Sequence, residues 1–390
     1  MDPIREMLGR VLDEVREQDA GEVADYIPEL ARADPDPLAL AIVGPSGRTA
    51  SVGDDGALFT IQSISKPFIY ALALEQHGRE EVFSRVGVEP SGEPFNAISL
   101  EDGTGRPANP LINAGAIATT ALIDGDGLAE RSRRLIEGLS RFAGRSLDVD
   151  ERVYESESAE GDRNRALAHL LRSYGVIGAD VHDIVEAYFR QCSALVTVVD
   201  LAVMASTLAF GGRNPVTGEQ VISPRTARDV ASVMTSSGMY DGSGAWLLRV
   251  GLPAKSGVSG GVIALAPSQF GVGVFSPRLD AYGNSTRGQL LLERLSEAFG
   301  MHVFEQHDAI SAPGVSIQRR SDGTVHVALE GEFSFSGVER VLAALHTAEA
   351  DTDADALVVD LRKLRQLHPA ALAALRTEVT ALGGRVDVED

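Results

Sequence analysis

Two short runs of the sequence place chemistry-bearing side chains at a useful spacing. In Gln62-Ser63-Ile64-Ser65-Lys66, at the passage from a β-rich run into a helical one, Ser63 and Lys66 stand three positions apart. Positions i and i+3 share one face of a helix, so the pair can bring a hydroxyl beside an amine, as an activated serine nucleophile requires. The amine must be neutral to accept the hydroxyl proton. Lysine ordinarily titrates near pH ~10.4, so work near neutrality takes a depression of roughly three units, about 4 kcal/mol, from burial or a neighbouring cation. Taken alone, the same spacing also fits an N-capping serine followed by a surface lysine.

Lysine usage strengthens the chemical reading. The chain holds three lysines, Lys66, Lys255 and Lys363, and arginine supplies every other basic residue. Arginine stays protonated in proteins, whereas a buried lysine can lose its proton, so a retained lysine points to a role arginine cannot fill. Lys255-Ser256-Gly257 opens a second β-rich run and matches the Lys-Ser/Thr-Gly box that accompanies Ser-x-x-Lys in penicillin-recognising enzymes. The third box of that superfamily, Ser-Asp-Asn, is absent; Ser321-Asp322-Gly323 reads as a hairpin turn. A phosphate loop is not expected at Lys255-Ser256, because Ala254 stands where the motif needs glycine.

The whole-chain figures bound the rest. With 390 residues and a formal net charge of −21, the chain lacks the basic surface that nucleic acid or an anionic membrane requires, and it is long enough for two or three domains. The single cysteine, Cys192, lies in an apolar stretch and reads as a buried, inert thiol. Ile4, Leu8, Val11, Leu12 and Val15 recur at helical spacing among charges, so the first residues form an amphipathic helix and not a signal peptide. No apolar run approaches the roughly 18 residues of a membrane span, so a soluble, cytoplasmic protein is expected. The eight histidines are scattered, and no metal or organic cofactor is expected.

Three β-rich runs, at Leu38 to Val43, RTASVG and LFTIQS, read as an antiparallel meander, and a helix starts at Ser65-Lys66. A loop-rich stretch from Val88 to Pro110 precedes a helical block from Ala114 to about Met234. The β pattern returns after Gly251, and a periodic helix follows at RGQLLLERLSEAFG. Strands at both ends with helices between predict an α/β (α+β) domain: one sheet of sequence-distant strands, flanked by helices and enclosing an inserted helical subdomain. Residues 1–306 form this unit, 307–314 a linker where Pro and Gly appear, and 315–390 a compact βαβα unit of its own.

The segments DYIPELA, QSISK, NPLINAGAI, ESESAEGDRN, GMYDGSG and GLPAKSGVSGG, in this order from about Tyr26 to Phe299, resemble those of the serine-dependent, β-lactamase-like glutaminases. The resemblance implies a β-lactamase/transpeptidase-like fold and hydrolysis of L-glutamine to L-glutamate and ammonia, with Ser63 the nucleophile and Lys66 its base. It also implies substrate contacts at Tyr26, Ser63, Asn113, Glu157, Asn164, Tyr188, Tyr240 and Val258, with Lys255, Ser256 and Gly257 in support. The chemistry expected of these side chains agrees: Glu157 can face the α-ammonium, and Asn113, Asn164, Tyr26 and Tyr188 can donate to the α-carboxylate. The N–H groups of Ser63 and Val258 can form an oxyanion hole, and Tyr240 can relay a proton to the departing ammonia. Each also has a plain structural role open to it: Asn113 as a cap, Glu157 in an acidic loop, Tyr188 in a core.

The tail resembles a STAS domain at LVVDLRKLRQLHPAALAAL, with His368-Pro369-Ala370-Ala371 where phosphorylatable members carry Asp-Ser-Ser-Gly. The resemblances imply a homo-oligomer, dimer or tetramer, and a possible protein partner of the tail. Two alternatives remain open: a penicillin-interacting serine enzyme, which rapid covalent labelling by a penicillin would reveal, and a partner-switching regulator that acts through the tail.

Overall fold

The computed structural model of the protein describes residues 3–92, 98–178, 180–305, 314–319, 324–333, 341, 356–367, 369–381 and 385–387. Helix α1 (Pro3–Val15) buries the five apolar positions of its expected stripe. It is followed by the short α2 (Pro28–Ala31) and the paired strands β1 (Ala39–Val43) and β2 (Thr49–Gly53). A 3-10 turn at Gln62–Ser65 leads into α3 (Lys66–Arg85). Helices α4 (Asn113–Ala121), α5 (Gly127–Ala143), α6 (Glu151–Ala159), α7 (Asp162–Ser173) and α8 (Val181–Cys192) make the inserted helical region. Then come α9 (Val198–Ala209), α10 (Pro224–Ser237) and α11 (Ser243–Arg249).

The expected sheet of sequence-distant strands is present. Strands β5 (Ala254–Ser256), β6 (Gly261–Ala266) and β7 (Phe270–Phe275) join the first two in the order β2-β1-β7-β6-β5, with every pair antiparallel. One face is covered by α1 and α12 (Thr286–Phe299), the other by α9. Helix α9 is apolar nearly all round, as burial on every side demands, and it starts at a capping box in which Thr197 and Asp200 satisfy each other's backbone. The hydroxyl of Ser206 on α9 donates to the Val43 carbonyl and accepts from Gly271 N–H, at 2.7 and 2.9 Å, stitching helix to sheet.

The third strand of the expected meander belongs elsewhere. Strand β3 (Phe59–Thr60) pairs with β4 (Leu195–Val196) in a separate two-stranded ribbon, and Ile61 N–H donates to the Ala194 carbonyl at 2.8 Å. The ribbon carries the chain from the sheet into the helical region, so the Ser63 turn lies between the two. No described helix is long and apolar enough to cross a membrane.

In the tail, β8 (Gly314–Arg319) runs antiparallel to β9 (Thr324–Phe333), and β9, β10 (Ala356–Leu367) and β11 (Arg385–Asp387) are mutually parallel in the order β11-β10-β9-β8. Helix α13 (Pro369–Ala381) follows β10. The linker, apart from Gly314, the Asp-Gly turn and all but one residue of the expected GVERVLAALHTAEA helix lie outside the described residues. The tail is less separate than its sequence implies: Val327, Leu329 and Leu375 share one apolar cluster with Ile4, Leu8 and Leu12 of α1. The outer, charged face of α1 carries no signal of this docking, since the cluster forms through its apolar stripe.

Candidate active site

The 3-10 turn puts Ser63 one turn before Lys66, at the entry to a buried helix. Both side chains are enclosed, Ser63 at 7% and Lys66 at 0% exposure. Gln62, immediately before the serine, has φ +49°, a left-handed conformation that a non-glycine residue adopts at a cost of about 1–3 kcal/mol. Tyr240 (φ +54°) is another of the three such non-glycine residues among those described. Its phenol donates to the Ser256 carbonyl at 3.0 Å and is hydrogen-bonded to the Ser63 side chain. Two strained residues therefore flank the same hydroxyl.

Among the acceptors of Lys66 are two that carry no full charge. Its Nζ donates to Asn113 Oδ1 at 2.7 Å and to the Leu111 carbonyl at 3.4 Å. Burial lowers its pKa to about 8, against an opposing pull from Cys192 and Glu157. The Leu111 carbonyl is set by Asn109, whose Oδ1 accepts from the Leu111 and Ile112 N–H groups at 3.0 and 3.2 Å. Gly115 is required behind it: a Cβ there would lie 1.9 Å from the Asn109 carbonyl oxygen. The Asn-Ala-Gly run is thus a helix start pressed onto the loop that orients the lysine acceptor.

Beyond Lys66 the hydrogen bonds continue through the remaining candidates. Asn113 Nδ2 donates to Asn164 Oδ1 at 3.0 Å, and the buried Tyr188 hydroxyl donates to Asn113 Oδ1 at 3.4 Å. Glu157 lies on helix α6 and not in a loop, with Asp150 capping the helix through its carboxylate. Its own carboxylate is 7% exposed and accepts from the Tyr26 hydroxyl at 2.6 Å. Burial raises its pKa, while the bonds from Tyr26 and Gln62 and the charge of Lys66 pull it down. Half of the Tyr26 surface is open, but its hydroxyl is tucked inward on Glu157, and burial of that group raises its pKa. Ile27, Leu30, Val153 and Val258 form a small apolar cluster that brings α2, α6 and the Gly257 turn together.

The second motif lies against the first. Lys255 is fully buried on β5, its Nζ donating to the Ser256 carbonyl at 2.6 Å and standing 4.1 Å from the centre of the Tyr240 ring. The ring face favours the ammonium, but burial and the neighbouring charge of Lys66 hold its pKa well below that of a free lysine. Val258 sits in a tight turn closed by Gly260 N–H donating to the Gly257 carbonyl at 2.9 Å.

Every expected site residue therefore falls into one contiguous group. Sequence reasoning missed Gln62, which touches both Tyr26 and Glu157, and the Leu111 carbonyl. It read Cys192 as a buried thiol, and burial does push that thiol up to about 12, but it did not foresee Cys192 beside Ser65 and Tyr188. Nothing in a single cysteine within an apolar stretch signals such a place.

Comparison with known proteins gives the family. The family model described as Glutaminase matches residues 21–304. The glutaminase of Corynebacterium glutamicum is 46% identical over 376 residues, 96% of this chain and 90% of that one. The glutaminase of Trichormus variabilis is 52% identical over 285 residues, 73% of this chain and 85% of that one. A crystal structure of Mglu in its glutamate form has a TM-score of 0.77 and 42% identity, covering 100% of this chain and 99% of that chain. A family model spanning most of the chain and relatives near half identity lead to one conclusion: this chain belongs to the glutaminase family.

Proposed function

We propose that the protein hydrolyses L-glutamine to L-glutamate and ammonia through a γ-glutamyl ester on Ser63. The observation that carries this reading is the Lys66 amine. Neutral, the amine carries one lone pair that can take the Ser63 proton, while its N–H groups donate to acceptors that include Asn113 Oδ1 and the Leu111 carbonyl. Ser63 Oγ attacks the γ-carbonyl carbon as its proton passes to Lys66 Nζ. The tetrahedral intermediate collapses, the C–N bond breaks, and the proton returns through the Tyr240 phenol to ammonia. A water then attacks the ester, releasing glutamate and the Ser63 hydroxyl. The N–H groups of Ser63 and Val258 are assigned to the oxyanion, each donor worth about 3 kcal/mol in the transition state. Glu157, held by Tyr26 and Gln62, takes the α-ammonium, and Asn113, Asn164 and Tyr188 take the α-carboxylate.

The test is ammonia release from L-glutamine as a function of pH. Lys66 works as the free base, so kcat/KM should rise with pH, gaining about tenfold per unit below a midpoint near the lysine pKa of about 8, and level off above it. No ammonia release, or a profile flat from about pH 6 to 9, contradicts the assignment.

For the tail, the proposal is a STAS-like binding or assembly module that leaves the chemistry alone. A parallel β9-β10-β11 arrangement with α13 supports it, as does alanine at positions 370 and 371, which leaves no hydroxyl there to phosphorylate. The Trichormus variabilis relative matches only 73% of this chain, in keeping with a glutaminase unit that does not need the tail. A chain ending at Glu305 should keep its turnover but melt earlier, because the α1 cluster loses its tail contacts. A folded truncation without turnover would overturn the proposal.

A further inference from the structure

Beside the site, and outside it, lies a second polar cluster built around Glu186 on α8. This carboxylate is 3% exposed. Its Oε2 accepts from the Tyr154 hydroxyl at 2.9 Å, and its Oε1 accepts from Ser158 Oγ at 3.0 Å and Arg165 Nη2 at 2.8 Å. Arg165 Nη2 also donates to Ser158 Oγ at 3.0 Å. Tyr154 and Ser158 stand one turn apart on α6, and Arg165 lies on α7, so one carboxylate ties three helices together.

Each of those helices delivers one substrate contact of the proposed reaction, next to a member of the cluster. Glu157 precedes Ser158, Asn164 precedes Arg165, and Tyr188 lies two positions beyond Glu186. Neighbouring helical positions are turned by about 100° and alternate ones by about 200°, so Ser158, Arg165 and Glu186 face away from the site residue next to each, while Tyr154 shares the Glu157 face of α6 one turn earlier. Fixing one side fixes the other. The packing leaves little slack: a Cβ on Gly161, between α6 and α7, would meet the Phe189 ring of α8 at 2.3 Å.

We propose that Glu186 is a positioning residue for substrate selection: through Tyr154, Ser158 and Arg165 it sets the mutual placement of Glu157, Asn164 and Tyr188, which grip the amino-acid end of glutamine. This inference rests on the functional reading above. Ser63, Lys66 and Tyr240 are carried by other elements, and the cluster reaches Lys66 only through the Asn113 hydrogen bonds to Asn164 and Tyr188, so binding should suffer more than the chemistry at the γ-carbonyl.

The experiment is steady-state kinetics on Glu186→Gln and Tyr154→Phe, with circular dichroism to confirm folding. Glu186→Gln should raise KM for L-glutamine about tenfold, and the inhibition constant of L-glutamate with it, while kcat stays within about threefold and the pH midpoint does not move. Tyr154→Phe keeps the ring under Arg190 and loses the hydroxyl's hydrogen bonds to Glu186 and Arg190, so it remains decisive if Glu186→Gln fails to fold; its KM should rise about threefold. An unchanged KM in a folded variant, or a fall in kcat at constant KM, overturns the proposal. Calorimetry of L-glutamine binding to Ser63→Ala and to Ser63→Ala/Glu186→Gln separates the two readings. Weaker binding in the double variant supports positioning even if the wild type releases no ammonia, whereas equal binding removes it while the glutaminase reading stands.

Discussion

Ser63→Ala should lower kcat for glutamine hydrolysis by about 10⁴-fold or more, the scale seen when a covalent nucleophile is removed. The substitution deletes one oxygen from an enclosed turn and touches none of the groups assigned to the amino-acid end of the substrate. L-Glutamate should therefore bind the variant with nearly unchanged affinity. That combination, lost turnover with kept binding, separates a nucleophile from a residue that merely shapes the pocket. Ammonia release measures the first half and calorimetry the second. Turnover within about tenfold of wild type would mean that another group attacks the γ-carbonyl.

Lys66→Arg should come close behind, with kcat down by about 10³- to 10⁴-fold, because a guanidinium does not surrender its proton and cannot act as base. The substitution also forces a permanent charge into a site where Lys66 meets the Asn113 amide oxygen and the Leu111 carbonyl, so some stability is lost as well. Lys66→Met, close in length and uncharged, controls for that effect: it should fold at least as well and be as inactive. The rise of kcat/KM toward about pH 8 should vanish from the residual activity of both variants. If Lys66→Arg retained that rise, the titrating base would lie elsewhere, with Lys255 the next buried amine.

The parts of the site that local pattern encodes were legible. Ser-x-x-Lys needs only helical geometry, and the scarcity of lysine marked the two buried amines without any structure. The α1 stripe and the wholly apolar α9 followed from periodicity in the same way. What escaped was set by distant approach. Strand β3 has two residues, too few for alternation to show, and its partner lies far along the chain, so Phe59 read as part of a meander although it pairs with Val196. Glu157 in an acid-rich run read as readily as loop, since the helix depends on the Asp150 cap and on packing against α2. Asn113 was foreseen as a donor to substrate; its oxygen also accepts from Lys66 and Tyr188, which only the assembled helices reveal. Gln62 owes its place to a backbone angle that no side-chain pattern encodes.

The net charge of −21 takes on a narrower meaning in this setting. Glutamine is a zwitterion, so the acidic surface gives the substrate no net steering. In the proposed reaction the determinants are instead the buried lysines, and turnover would depend on Lys66 being discharged.

Which atom attacks the substrate decides the mechanism, and the candidate site has a hydroxyl at Ser63 with the buried thiol of Cys192 beside Ser65 and Tyr188. A diazoketone analogue of L-glutamine, which alkylates a nucleophile at the γ position, followed by peptide mass spectrometry, tests this most directly. The expected result is one label per chain on Ser63, blocked by L-glutamate and absent from Ser63→Ala and Lys66→Arg. Label on Cys192, or on Ser63 with equal efficiency in Lys66→Arg, would contradict the serine and lysine assignment.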